Sequence, residues 1–339
     1  MTTDLQAFIE SVPDGATIRF AAGGDYRVEG TIFMVERRNL EIDGAGSTIR
    51  STTVVDFNRR NLSIVTSTNI LVRDLTIQGA STNPGVLDNE HAFEHGIWVD
   101  GGADIEIRDL VIQNTLGDCV YLGVGDGFLP WPERVYIHDI ICRGAGRNGI
   151  SIIGGRDIRI EANIIERTGL HAIDIEPNRT DGRDGTDEIR PVQGASTVAI
   201  SGNTIIGPVE GYFFAANGWG QIDDLTVVDN VLRGTPLRIT VQPLPDSGFI
   251  RTGIRIERNR SDTPYTGDGA AMRFSLAADL TVHDNVGPLA DAGASLIQLR
   301  EVCRASIVGN AFPGGGSEVV GSEGACPTMS APAQPSARP

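Results

Sequence analysis

Apolar and polar residues alternate in short runs along most of the chain, and each run closes on Asp or Asn. NILVRDL has its repeated polar position at Asp74, DIEIRDL at Asp109, RVYIHDI at Asp139 and DIRIEAN at Asn163, and the series continues through Asn203, Asn230, Asn259, Asn285 and Asn310. NLEIDGAG adds an earlier member at Asp43. The intervals run from 24 residues (Asp139 to Asn163) to 40 (Asn163 to Asn203). A near-regular repeat of this length predicts a solenoid, in which each unit buries its apolar side only against its neighbours. Within the units, Ile70 and Val72, Ile105 and Ile107, and Ile158 and Ile160 stand two apart, the period of a strand with one buried face. A second strand follows at 96–99, 119–122, 149–152 and 172–175, and a third, shorter one is centred on Thr76-Ile77, Val111-Ile112 and Ile164-Ile165. Three short strands per turn predict an all-β parallel β-helix. Helical spacing is confined to the first eleven residues, where Leu5 to Ile9 predict a short amphipathic helix capping the first coil.

The repeated Asp and Asn suit the bends, because their short side chains bond to local backbone and Asn tolerates left-handed angles. Stacked on successive coils, Asn203, Asn230, Asn259, Asn285 and Asn310 predict an amide ladder, a structural role. Residues 1–325 read as a single β-helix domain, and 326–339, rich in Pro, Ala and Ser, as a flexible tail.

The opening PDGATIRFAAGGDYRVEG followed by NLEIDGAGSTI resembles the start of right-handed parallel β-helix proteins of the pectate-lyase-like superfamily, and the resemblance runs to about Phe312. It implies a right-handed coil and action on polysaccharides as hydrolase, lyase or epimerase. The superfamily also holds phage adhesins and non-catalytic scaffolds, so the fold does not choose a reaction. GDCV, residues 117–120, is similar to part of the acidic motif of polygalacturonases, but Cys119 stands where a second Asp is expected. The partner Gly-His and Arg-Lys motifs are absent from the later coils, and so is the calcium cluster beside an arginine base that a pectate lyase would need.

Composition narrows the partners. A formal charge of -16 with only 28 basic residues argues against nucleic acid, which demands a dense basic surface. It also counts against a strongly anionic polysaccharide unless calcium or a local arginine cluster reverses the field. No apolar segment is long enough to span a bilayer, so a membrane partner is not expected. MTTDLQAF lacks a basic region and an apolar core, which predicts a cytoplasmic protein if the sequence is complete and a secreted one if a leader was removed. Cys119 and Cys142 fall in strand patterns and are expected as buried thiols, whereas Cys303 and Cys326, about one coil apart, can staple the C-terminal end in an oxidising compartment. Oligomerisation is left open.

Function is sought where the repeat is interrupted, at 79–94, 123–134, 176–194 and 241–252. The second and third interruptions follow the same strand column and should leave the rod on one edge. Just before the second strand stand His95, Asp118, Asn148 and His171; its outward positions are Trp98, Tyr121, Ser151 and Asp174; two residues on come Asp100, Gly123, Ile153 and Glu176. This patch of carboxylates, histidines and aromatic rings is the candidate site. Asp174 is the expected general acid or base, with Asp118 or Glu176 as partner and His171 as a proton carrier or orienting group. Trp98, Tyr121 and Trp131 are expected to pack sugar rings, with His95, Asp100 and Arg179 binding substrate polar groups. No metal signature is present and no cofactor is expected, although DGRDGTDE at 181–188 has oxygen ligands that suit calcium without the full EF-hand spacing.

The leading reading is a carbohydrate-active enzyme performing glycoside hydrolysis or uronate lyase or epimerase chemistry. The alternatives are a carbohydrate-binding or adhesion scaffold using Trp98, Trp131 and Tyr121, and a biosynthetic enzyme acting on a small metabolite.

Overall fold

The computed structural model describes residues 2–55, 59–123, 130–177, 194–244, 249–267, 269–290, 295–314, 319–321, 324 and 326. They form a right-handed parallel β-helix whose strands pair coil upon coil in one continuous, all-parallel arrangement. Three sheets run along the rod. The first contains Glu133–His138, Gly155–Glu161, Gly194–Ser201 and Gln221–Val228. The second contains Ile141–Arg143, Ile164–Thr168 and Thr204–Val209. The third, which carries the candidate site, contains His95–Asp100, Val120–Leu122, Ile150–Ile152, Ile173–Ile175, Phe214–Ala216 and Ile239–Val241.

Inward positions of all three sheets are stacked apolar residues, most of them aliphatic, with Phe214 and Phe274 entering in the third sheet. Ile107, Ile137, Ile160, Ile200 and Val227 follow one another at 0% exposure in the first sheet. Each such side chain contributes roughly 1.5–3 kcal/mol by leaving water. The predicted cap is the helix Thr2–Ser11, which buries Leu5 and Ile9 on the end of the core. Gln6 completes it: Nε2 donates to the Phe33 carbonyl at 3.1 Å and Oε1 accepts the Phe33 N–H at 2.7 Å. One side-chain amide thereby replaces the missing neighbour of the first third-sheet strand, Ile32–Val35, at an otherwise open edge.

The amide ladder is present and starts one coil earlier than expected. Asn163, Asn203, Asn230, Asn259, Asn285 and Asn310 pass Nδ2 to Oδ1 bonds of 2.8 to 3.0 Å from each to the next. Each Oδ1 also accepts the preceding rung's backbone N–H. The alignment of Asp74, Asp109 and Asp139 with these Asn is corrected by one residue. Ile140 occupies the inward rung below Asn163, whose Oδ1 accepts its N–H at 3.1 Å. Asp74, Asp109 and Asp139 instead share the left-handed φ of Ala162, Asp229, Arg258 and Asp284, the residues preceding each Asn. The bend is thus made by one residue and satisfied by the next.

The expectation of free thiols at Cys119 and Cys142 is also corrected. They form a disulfide across the core between the third and second sheets, and Cys303 and Cys326 form the expected second one. Among the described residues, no helix is long and apolar enough to cross a membrane.

Candidate functional site

The third sheet turns Trp98, Tyr121, Ser151 and Asp174 outward in direct register, followed by Ala215, Thr240, Arg273 and Gln298. Residues 79–94 lie along one side of this column: the Gly85 N–H donates to the Gly144 carbonyl at 3.1 Å, and the Phe93 ring lies 5.7 Å from the Arg147 guanidinium. On the other side the chain leaves the sheet after Leu122, Ile175 and Val241, so these interruptions share one edge, as the register requires.

The residues before each strand form a second ladder. His95 Nδ1 accepts the Asp118 N–H at 3.0 Å, Asp118 Oδ1 the Asn148 N–H at 2.8 Å, Asn148 Oδ1 the His171 N–H at 2.9 Å, and His171 Nδ1 the Tyr212 N–H at 2.9 Å. Four side chains of three kinds thus perform one backbone task. The glycines beside the two histidines are required by close approach: a Cβ on Gly117 or Gly211 would fall on the ring of His95 or His171. Accepting at Nδ1 puts each ring proton on Nε2. Burial, reinforced by Arg147, holds His95 well below its usual range and His171 at about 4. Both are neutral at pH 7, and His171 has its Nδ1 lone pair engaged.

From this ladder a charged cluster reaches the outer face. Arg147 Nη1 donates to Asp118 Oδ2 at 3.0 Å and Nη2 to Glu176 Oε2 at 3.2 Å. Asn148 Nδ2 donates to Ser151 Oγ at 3.0 Å and to Asp174 Oδ2 at 3.3 Å, and Ser151 hydrogen-bonds to Asp118. Asp118 is fully enclosed, and burial raises its carboxyl despite Arg147. Asp174 keeps 4% exposure, and burial followed by the charge of Glu176 pushes it well above the ordinary carboxylate range. Glu176, with a side chain 37% exposed, is the accessible member. Burial opposes the charge on Arg147, but Asp118, Asp174 and Glu176 outweigh it and raise the guanidinium above its usual value.

The aromatic residues are brought together and already partnered. Trp98 and Tyr121 lie 4.7 Å apart, His95 stacks on Tyr121 at 4.6 Å, and Arg60 sits 3.8 Å over Trp98. Both rings are under a tenth exposed, and Trp98 Nε1 donates to the Gly123 carbonyl at 3.1 Å. They wall the cluster. Asp100 ends the same strand, and its charge is felt at Tyr121. Trp131 stands apart, half-buried against Gly154 and Gly194 where the chain enters the first sheet. Arg179 and the acidic run 181–188 lie outside the described residues. Among the described residues no three His, Cys, Asp or Glu gather as metal ligands.

Arg147 is the member that column reasoning missed. It precedes the corner position by one residue, where the neighbouring coils carry Gly117 and Leu170 and the coil of His95 carries Glu94, and extending the alignment by that residue exposes it as the one cation there.

No protein-family model matches the chain, and no curated protein matches it in sequence. Its fold is shared with solved structures. The surface protein and adhesin PfbA of Streptococcus pneumoniae superposes with a TM-score of 0.67 at 11% identity, covering 94% of this chain and 95% of that one. Endo-xylogalacturonan hydrolase from Aspergillus tubingensis gives 0.61 at 12% identity over 97% and 93%. Alginate lyase from a Paenibacillus species gives 0.52 at 15% identity over 96% and 97%. The chain shares with these proteins the right-handed parallel β-helix fold.

Proposed function

We propose that the protein is a carbohydrate-active enzyme that hydrolyses a glycosidic bond, with Asp174 as general acid and Glu176 as the carboxylate that activates water. The observation carrying this reading is the inequality of two carboxyl groups on one strand face. Asp174 is enclosed, hydrogen-bonded to Asn148 and shifted toward its protonated form by burial; Glu176 is accessible and paired with Arg147. Environments that push two carboxyl groups apart in acidity assign acid and base. Residues two apart in a strand are separated by about 6.6 Å along the backbone, and an inverting mechanism requires their carboxyl groups to stand roughly 6.5–9.5 Å apart so that a water fits between them. Asp118 and Arg147 position the pair without meeting substrate. His171, its Nδ1 engaged, is suited to donate from Nε2 and not to abstract a proton.

The carbohydrate reading is supported by the proteins that share the fold, which include a xylogalacturonan hydrolase and an alginate lyase. All four cysteines are paired, which fits an oxidising compartment outside the cytosol. A second reading, a glycan-binding scaffold, is favoured by the near-complete burial of Asp174 and the occupied faces of Trp98 and Tyr121. Incubation with a panel of oligosaccharides, read by mass spectrometry and by NMR of the released anomer, separates the two. Product with inverted configuration from the wild type and none from D174N supports hydrolysis by this pair. Saturable binding with no product across the panel establishes the scaffold.

A further inference from the structure

The interruption at 79–94 brings Phe93 to the edge of the carboxylate cluster, and its side chain is 45% exposed although the next two residues, Glu94 and His95, are enclosed. The backbone there is pinned from several directions. The Glu94 N–H donates to the His91 carbonyl at 3.0 Å, the His95 N–H to the Arg59 carbonyl at 3.0 Å, and the Gly117 N–H to the Glu94 carbonyl at 2.8 Å. The Glu94 carboxylate accepts from Arg59 Nη2 and, at 3.1 Å, from the Val55 N–H, and both members of this ion pair are nearly without solvent contact. A buried pair adds little stability, but its charges must stay matched, which holds the chain beside Phe93 in one position. The ring stands on a rigid base.

Its face is left open. Elsewhere in the chain guanidiniums close directly on aromatic rings: Arg60 on Trp98 at 3.8 Å, Arg159 on Tyr136 at 4.1 Å and Arg238 on Tyr212 at 4.2 Å. Arg147 stops 5.7 Å from Phe93, its two Nη groups being engaged by Asp118 and Glu176. His95 meets Phe93 at an interplanar angle of 87°, so among the described residues no ring is stacked on it. Trp98 and Tyr121 differ in both respects, being buried and covered by Arg60 and His95. Val86, half-exposed on the same segment, has its carbonyl against Gly146, and the Leu87 nitrogen lies against Gly169. The segment thus sets two exposed apolar side chains beside the coils that carry Arg147 and Glu176.

An exposed apolar residue is by itself ordinary. Phe93 is rigid, open-faced and one guanidinium away from Glu176, and from these three properties together we infer that it determines specificity: a pyranose ring adjoining the bond met by Asp174 and Glu176 stacks on its free face. Trp98 and Tyr121 are then walls of the site, and Arg59 and Glu94 are positioning residues that hold the platform. A phenyl ring offers a flat face of negative potential and no polar edge, which suits the C–H groups of a sugar and not its hydroxyls. With both Nη groups of Arg147 engaged, the ring stacked here is a neutral one, recognised by its apolar face. The inference rests on the carbohydrate reading above but not on catalysis, since it concerns binding alone.

The test measures binding by calorimetry in the full chain carrying D174N, so that affinity is read whether or not the protein is an enzyme. Cellohexaose, xylohexaose, mannohexaose and maltohexaose serve as neutral probes. At least one should bind, with ring C–H protons shifted upfield in its NMR spectrum by the phenyl group beneath them. Adding F93L, which keeps the apolar volume and removes the flat face, should weaken that hexamer about tenfold, the order expected of one aromatic contact. F93W should restore the affinity. Melting temperatures of the three chains should coincide, because the side chain is exposed, and this separates stacking from a packing role. Binding of no hexamer, unchanged affinity in F93L, or a loss that F93W does not restore overturns the platform. Product formation by the wild type is scored separately and decides only the hydrolase reading.

Discussion

The side-chain amide of Asn148 donates to Oδ2 of Asp174 at 3.3 Å, while its backbone N–H donates to Asp118 at 2.8 Å, so one residue joins the corner ladder to the outward carboxyl group. Asp174 is raised above its unfolded acidity, by burial first and by Glu176 second. An acid raised on folding binds more protons in the native state, so its contribution falls as pH climbs through the window above the ordinary value of 3.8. D174N should therefore be more stable than wild type at pH 7 and no more stable near pH 3, while losing turnover. Urea titrations at the two pH values check this, and equal differences at both would refute it.

Arg147 holds two carboxylates, one of them without solvent contact. Removing it by R147Q leaves Asp118 buried beside no counter-ion, which should cost about 3–5 kcal/mol. Replacing both, as D118N with R147Q, should recover much of that loss, because no uncompensated charge is then buried. A double-mutant cycle by chemical denaturation measures the coupling; additive losses would show that the pair is not a unit.

His171 is depressed to about 4, chiefly by burial and then by Arg147 and Arg238. A base depressed on folding binds fewer protons in the native state, so stability rises with pH between about 4 and the unfolded value of 6.5 and is lost as pH falls through that window. The contribution is up to about 3 kcal/mol. H171N should flatten the pH dependence of the melting temperature in this interval, with His95 supplying the slope that remains.

The Asn ladder predicts a positional gradient. N230L removes the acceptor used by both donors of Asn203 and the donor to Asn259, leaving buried amides unsatisfied. A loss of about 2–5 kcal/mol is expected, although Ile140 fills the equivalent rung of an earlier coil. N310L, at the half-exposed last rung, should cost less than half as much. Equal losses in thermal melts would argue against a cooperative ladder.

Cys119 and Cys142 close a loop with a sequence separation of 23 next to Asp118. The double variant C119S/C142S should lose about 3 kcal/mol, from the entropy regained by the unfolded chain. Because Cys119 adjoins Asp118, turnover should fall with it below the new melting temperature; activity independent of this bond would detach the core from the site.

The strands, the three-sheet coil, the capping helix and the shared edge of the interruptions were legible in the chain, because alternation of apolar residues reports which side of a strand faces the core. Register also aligned Trp98, Tyr121, Ser151 and Asp174 correctly. Illegible were the one-residue offset between left-handed bend and inward Asn, the disulfide at Cys119 and Cys142, and the role of Arg147. Each depends on direction and depth, which periodicity does not encode. Arg147 and Asn148 are adjacent letters, yet one side chain bridges Asp118 to Glu176 and the other bonds Asp174.

Local chemistry by itself therefore determined the rod: strand period, tight bends and a solenoid core follow from interactions between residues one coil apart. Only the tertiary structure decided how its polar face is used, because acidity and access follow from burial and neighbouring charge. Those quantities arise when coils stack, and they separate the enclosed Asp118, the Asp174 whose acidity burial weakens and the accessible Glu176, three carboxylates that look alike in the chain.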